Sequence, residues 1–374
     1  MMPNRPFALI DDSLAGHARL FRHPDFIICA DAAEGIAPAF RRIEEARRTG
    51  LTLVGYASYE LGYLLEPRLA PLLPEKRRVP LLCFGAFREA EIFAPQSIAG
   101  DGTIETLQPD WSFAEYAPRF HKVLDYISAG DVYQINLTFP MSGSHRGDPL
   151  ALYRALRLRQ PVAHGGVVAL GDETVVSLSP ELFFAVRSGR ITAKPMKGTA
   201  KREADPARDR EAALRLAIDE KQRAENLMIV DLLRNDLSRI SRVGSVHVPK
   251  LFEVETYPTL HQMTSTVMAE LLPDLSLQDL FTGLFPCGSV TGAPKIRAME
   301  IIRELEAEPR GVYCGAVGWI APSGDMSFNV AIRTLTCFAD GTAVLNVGSG
   351  IVADSTPKSE YDECLLKSRF LNSA

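Results

Sequence analysis

Apolar runs of strand length alternate with longer helix-period segments along the whole chain, and this alternation most constrains how it can fold. Residues 167–170 and 174–178 form one strand-like pair across Gly171-Asp172. Residues 183–187 and 191–195 form a second across Ser188-Gly189. Similar runs occur at Phe26–Ala30, Leu51–Tyr56 and Leu81–Phe87, and again at 312–320, 327–337 and 343–347. Helical signals lie between them. Ser112 to Ser128 reads as a helix ended by Gly130, after which GDVYQINLTFP begins a strand. Asp205-Pro206 supplies a cap residue followed by proline at the first helical position, and the helix predicted from there runs to about Ile240. Its early turns are charged, whereas LMIVDLL (227–233) is apolar on nearly every face, so the helix is expected to pass from solvent into a core. A last helix begins at Thr356-Pro357 and carries the acidic run SEYDE. The chain is predicted to be a mixed α and β protein.

With 374 residues, the chain is long enough for one large domain or two to three ordinary ones. The proline-rich, basic stretch Glu66 to Pro80 reads as a loop, and Pro95 to Asp110 as a connector. The main boundary is placed there, dividing residues 1–110 from 111–374. A net charge of −5 and the lack of a basic stripe argue against general nucleic-acid binding. No apolar run is long enough for a membrane span, and the first ten residues lack the pattern of a secretory signal. Cys29, Cys83, Cys287, Cys314, Cys337 and Cys364 show no CxxC spacing. Reduced, structural thiols in a cytoplasmic protein are therefore expected.

Three groups of residues could carry chemistry. Glu225 stands just before the apolar turn of the long helix, and Glu360 and Glu363 share one face of the last helix at i and i+3. Three carboxylates converging from two helices would suit Mg²⁺, a hard ion bound by a few carboxylates plus substrate oxygens and water; surface ion pairing is the plainer alternative. KPMKGTAKR sets Lys194, Lys197, Lys201 and Arg202 close together after a strand. Crowded cations and partial burial favour a neutral, nucleophilic amine at Lys197, against the alternative of a solvated basic turn. Gly198 and Thr199 would let backbone approach a ligand closely. Gly348-Ser349-Gly350, between a strand and a helix, could offer backbone N–H groups to a carboxylate or could be a plain turn. GSVTGAPK (288–295) lacks phosphate-loop spacing, so nucleotide binding is rejected there.

The ordered series KGT, AENLMIVDLLRNDLSRI, GSVTGAPKIRAMEII, YCGAVGW, NVAIRTL and GSGIVADSTPKSEYDE resembles the chorismate-utilising enzymes over about residues 112–374. The N-terminal third resembles them mainly through GYASYELGYLLEP (55–67). The resemblance implies an α+β fold, the four-layer α/β/β/α sandwich of that family, with the site in a deep cleft beside the sheets. It implies Mg²⁺ held by Glu225 and Glu363, with Glu360 close by. Glu181 corresponds to the general acid near the departing C4 hydroxyl of chorismate. His261, Ser289, Tyr313 and Arg333 correspond to pocket residues, Gly348 to Gly350 to a carboxylate cradle, and Lys367 to a lysine facing a carboxylate. Chorismate is a dianion with a poor leaving group, so cations, backbone donors and a general acid suit it.

Within that family, hydroxylating members carry a water-activating lysine where this chain has Gln134, which cannot act as a base near neutral pH. Members that aminate C2 usually carry alanine at the position of Lys197, and members that aminate C4 carry lysine. The resemblance therefore implies a transferase that makes 4-amino-4-deoxychorismate, a precursor of 4-aminobenzoate and folate, through a covalent Lys197 intermediate. A separate glutamine amidotransferase subunit would supply the ammonia. Amination at C2, or a non-catalytic chorismate-binding role, are the alternatives. Two positions depart from the family: Cys287 replaces a frequent glycine, and AHGG (163–166) replaces the segment that contacts tryptophan in related subunits, so weak or no tryptophan binding is expected.

Overall fold

The computed structural model describes residues 5–257 and 260–371. Two large sheets dominate it. The first has eleven strands in the order β17 (Gly292–Ala293), β9 (Gln134–Gly147), β21 (Thr342–Ile351), β20 (Thr334–Cys337), β11 (Thr174–Ser179), β10 (His164–Ala169), β1 (Phe7–Asp12), β2 (His17–Arg22) and β6 (Glu91–Ile92), with β7 (Gly102–Ile104) and β8 (Gln108–Pro109) also on β9. The second has ten, ordered β14 (Met196–Lys201), β16 (Leu260–Glu270), β13 (Arg190–Lys194), β12 (Leu182–Arg187), β19 (Met326–Asn329), β18 (Ala316–Ile320), β4 (Thr52–Ala57), β5 (Leu82–Phe87) and β3 (Phe26–Ala30), with β15 (His247–Thr256) also on β16.

The sheets pack face to face. Ala8, Phe21 and Val175 from the first meet Val54, Tyr56 and Val317 from the second in one buried cluster. Helices cover the outer faces. α3 (Phe113–Ser128), α4 (Pro149–Arg159), α8 (Lys295–Leu305) and α9 (Pro357–Lys367) pack on the first sheet. On the second lie α1 (Ala33–Arg48), α5 (Pro206–Ile218) and α6 (Glu220–Ser238), with α7 (Leu277–Leu284) against α1 and α6, and short α2 (Leu61–Leu65) beside α7. This is an α+β fold in four layers. It explains why β5 and β11 are buried at every position: one face meets the other sheet and the opposite face meets helices or loops. Strands of residues 1–110 belong to both sheets, β1 pairing β10 and β4 pairing β18, so the segments on either side of residue 110 share sheets and core.

Local signals act where expected. Ser112 and Glu115 form a capping box at the start of α3, which buries Tyr116, Phe120 and Val123. The helix expected from Asp205 to Ile240 is instead two. Asp219 is extended (ψ 112°), ends α5, and accepts the Gln222 N–H at 2.9 Å to cap α6. An aspartate that can bond its own backbone competes with helix continuation. The strand expected over 327–337 also divides, with β19 in one sheet and β20 in the other, and Val330–Arg333 carries the crossover.

The cysteine expectation is corrected. Cys29 on β3 and Cys83 on β5 stand opposite one another in the ladder, Cα atoms 4.2 Å apart, and are joined in a disulfide. Linear spacing could not reveal this pair, because sheet pairing alone brings together residues 54 apart. Cys287, Cys314, Cys337 and Cys364 are free and buried. No helix among the described residues is long and apolar enough to cross a membrane.

Candidate active site

Glu181 sits in the tight connection between β11 and β12, fully inside the protein. Ser289, in the 3₁₀ turn Gly288–Val290, donates its hydroxyl to Glu181 Oε1 at 2.9 Å. Burial raises the Glu181 carboxyl to about 7, against the opposing pull of Ser289 and the Lys197 ammonium. A carboxyl of that kind holds a proton near neutral pH, as a general acid must.

Lys197 lies on β14, so the basic segment, for which a solvated turn is the alternative reading, is a strand of the second sheet, paired with β16. Opposite, on the first sheet, Gln134 opens β9. Gly350 lies between them: a Cβ there would stand 3.1 Å from Gln134 Nε2 and 3.2 Å from Lys197 Nζ. A side chain there would crowd both groups by a few tenths of an ångström. Gln134 is 1 % exposed, and among the described residues neither its amide nitrogen nor its amide oxygen has a partner. Burying such a group unpaired is costly, so its amide is open to pair with a ligand or a water.

Gly348, Ser349 and Gly350 are not a loop after a strand. They lie within β21, in register with Thr138, Leu137 and Asn136 of β9. This segment is therefore a strand surface, narrowed by a close approach in which a Cβ on Gly348 would meet Thr138 Cγ2 at 2.6 Å. Lys367 on α9 donates to the Gly348 carbonyl at 2.8 Å and pairs with Glu363 at 2.8 Å. Arg333, in the crossover with φ 49°, adopts a left-handed backbone that costs a non-glycine residue about 1–2 kcal/mol. Burial holds its guanidinium below the ordinary value, and no carboxylate among the described residues faces it. Tyr313 is buried, which pushes its phenol well up.

Glu225 on α6 and Glu360 and Glu363 on α9 face a common region. Burial raises Glu225, and the Glu363 and Glu360 carboxylates push the same way against Lys197 and Lys221. The burial of Glu363 would raise it too, yet Lys367 and the other lysines hold it below the usual carboxylate range. Three mutually repelling carboxylates are a donor set that fits a hard divalent cation. They are not gathered into a finished cage: Glu360 accepts from Ser355 at 2.8 Å, and no three acidic, His or Cys groups among the described residues stand close enough to hold an ion.

Two expected pocket residues are committed elsewhere. His261 spends Nε2 on Asp209 at 2.9 Å and Nδ1 on Thr256 at 3.0 Å. Thr199 bonds Gln262 at 3.1 Å. Gly198 has φ +90°, a conformation that suits glycine, and its carbonyl accepts from Gln262 at 2.7 Å. Sequence reasoning missed the buried Glu306–Arg310 pair behind β9; its i, i+4 spacing was the available signal.

The sequence profile of the chorismate binding enzyme family matches residues 9–373. The chain is 44% identical over 262 residues to aminodeoxychorismate synthase component 1 of Klebsiella aerogenes, covering 69% of this chain and 58% of that protein. It is 40% identical over 282 residues to the Escherichia coli K12 protein of that name, covering 74% and 61%. Those alignments thus span about three fifths of these relatives' length. Anthranilate synthase component 1 of Thermus thermophilus is 40% identical over 353 residues, covering 85% of this chain and 76% of that one. Among solved structures, anthranilate synthase component I from Streptococcus pneumoniae superposes with a TM-score of 0.82 at 27% identity, covering 100% and 93%. The menaquinone-specific isochorismate synthase from Escherichia coli, at 16% identity and a TM-score of 0.76 over 99% and 88%, shares the fold. This chain belongs to the chorismate binding enzyme family.

Proposed function

We propose that this chain converts chorismate and ammonia to 4-amino-4-deoxychorismate, with Lys197 as covalent nucleophile and Glu181 as general acid. The observation that carries this is Lys197 Nζ beside Gly350 and unpartnered Gln134, within the field of buried Glu181. Once the Lys197 ammonium has released a proton to solvent, its amine attacks C2 of chorismate, the ring double bonds shift, and the C4 hydroxyl leaves as water with the Glu181 proton. Ammonia then adds at C4, the double bonds shift back, and the C2 bond to Lys197 breaks. Glu181, now a carboxylate, takes up the surplus proton. The sum is chorismate plus ammonia giving the amino product plus water.

Arg333 and Lys367 supply positive charge for the carboxylates of the substrate. Glu225, Glu360 and Glu363 would hold Mg²⁺, which supplies charge neutralisation for a substrate carboxylate. Gln134 offers an amide in place of a base, which suits ammonia as the incoming nucleophile. A glutamine amidotransferase subunit is the proposed ammonia source, since the relatives named component 1 imply a second component. The cytoplasm is the proposed location.

One observation favours amination at C2 instead: the anthranilate synthase of Thermus aligns over more of both chains than the aminodeoxychorismate relatives do. Product analysis with chorismate, Mg²⁺ and ammonium separates the two. Aminodeoxychorismate without pyruvate is expected; release of anthranilate and pyruvate by this chain alone would overturn the proposal.

A further inference from the structure

Behind the pocket, two charged side chains take over where a neighbouring strand ends. β17 pairs β9 only at Gln134 and Ile135. Beyond that, the Asn136 N–H donates to the Thr291 carbonyl at 2.8 Å, the Asn136 carbonyl accepts from Arg310 Nη2 at 2.7 Å, and the Thr138 N–H donates to Glu306 Oε1 at 2.8 Å. A buried strand edge needs such partners, and here side chains provide them. Arg310 and Glu306 are 3 % and 5 % exposed and joined by two bonds, Nε to Oε2 at 2.8 Å and Nη2 to Oε1 at 2.7 Å. Glu60 anchors the same arginine by accepting the N–H groups of Arg310 at 2.7 Å and Gly311 at 3.1 Å.

The guanidinium also reaches the Val290 carbonyl, from Nη1 at 2.8 Å. That bond gives the cluster more than a stabilising role. Val290 follows Ser289, whose hydroxyl holds Glu181. Asn136 lies two residues after Gln134 on the same face of β9, opposite Gly350. The planar cation therefore bridges the strand that carries Gln134 and the turn that carries Ser289, alongside two direct bonds from Asn136, its N–H to the Thr291 carbonyl and its Nδ2 to the Val290 carbonyl at 3.2 Å. The fixed fork of a guanidinium suits that task better than a point charge would.

We propose that Arg310, held by Glu306, is a positioning residue for the general acid: it clamps the Gly288–Val290 turn against β9, so that Ser289 keeps its hydrogen bond to Glu181. The proposal rests on the general-acid role of Glu181 put forward above. The hydroxyl of Ser289 favours the ionised carboxylate, so a retreating turn raises the pH at which Glu181 loses its proton. The other groups facing Glu181 are Lys197 and the Met196 N–H from β14, and Cys287 from the same turn.

The test is the pH profile of kcat/KM for chorismate consumption, with Mg²⁺ and ammonium, a readout independent of which carbon is aminated. Four proteins are compared: the parent chain, Ser289→Ala, the double variant Arg310→Met with Glu306→Gln, and all three changes together. The double variant keeps an acceptor for the Thr138 N–H and removes both charges of the pair, while Glu60 keeps the backbone N–H groups of residues 310 and 311. Arg310→Lys is the second variant should the double one not fold. The falling limb is expected to move up by at least about 0.5 pH unit in Ser289→Ala and in the Arg310 variants, with no further shift in the triple variant. An Arg310 variant whose limb stays in place while its rate falls, or shifts that add, overturns the proposal. A limb that Ser289→Ala does not move overturns the acid role of Glu181 instead. Amide hydrogen exchange over residues 288–291 then decides for Arg310: protection is expected to drop about 10-fold in the variants, and unchanged protection overturns the clamp.

Discussion

The Glu306–Arg310 cluster and the Lys197–Gln134 pocket both attach to β9 and are built from the same kinds of group, but they treat those groups in opposite ways. In the cluster, both Glu306 oxygens accept hydrogen bonds, and Arg310 donates to a carboxylate and two carbonyls. In the pocket, among the described residues, Gln134 has no partner at either end and Arg333 faces no carboxylate. Desolvated charge persists in the first case because it is saturated. In the second, partners for these groups would have to come from a bound ligand or water. The difference teaches how to tell a structural ion pair from a site: by what is left unpaired, not by how much charge is present.

That contrast can be broken by experiment, and the largest expected effect is at Lys197. Lys197→Ala should lower aminodeoxychorismate formation on the order of 10³-fold while leaving the melting temperature near that of the parent. Undiminished product would remove the covalent role. Glu181→Gln should cost on the order of 10²-fold or more in turnover and also abolish the pH limb. The sign follows from burial: the proton stays on Glu181 up to about 7, so the acid is armed below that pH and turnover falls as pH rises through it. The same shift lowers stability as pH rises from the ordinary carboxyl value towards about 7, because over that window the folded state binds the proton and the unfolded state has released it. Denaturant titrations at pH 5 and 8 should show less of this loss in Glu181→Gln than in the parent; an identical loss in both would place its origin elsewhere.

Arg310→Met belongs on the other side of the comparison. It strands Glu306 and should destabilise by about 3–5 kcal/mol, read by urea unfolding. A loss under about 1 kcal/mol would mean the cluster is not saturated in the way described. The smallest effect is expected at Gln134. Because nothing pairs with its amide, Gln134→Leu should leave stability unchanged or raise it by up to about 1 kcal/mol, even as chorismate turnover falls. Marked destabilisation would show that the amide already has a partner.

Much of the framework was legible in the sequence, for local reasons. The helix start at Ser112, the Thr356-Pro357 start and the paired strands across Gly171-Asp172 and Ser188-Gly189 are written in neighbouring residues. The break at Asp219 was missed because the apolar periodicity runs on either side of it, and only the bond to the Gln222 N–H shows the second cap. The single strand read over 327–337 hid a crossover between sheets, since both halves alternate polar and apolar residues and read as one strand. That crossover is what places Arg333.

The sequence by itself determined the residue types: carboxylates on two helices, a lysine in a basic run, glycines at Gly348 and Gly350, and the ordered motifs that mark the family. Periodicity and composition carry that much because they depend on contacts a few residues apart. Only the tertiary structure decided which groups meet and which stay unpaired. It set Gln134 and Lys197 on either side of Gly350, tied His261 to Asp209, and joined Cys29 to Cys83. It also brought Arg310 behind the strand that carries Gln134. These juxtapositions span tens to hundreds of residues, and sheet register and burial, which no local pattern encodes, select among them.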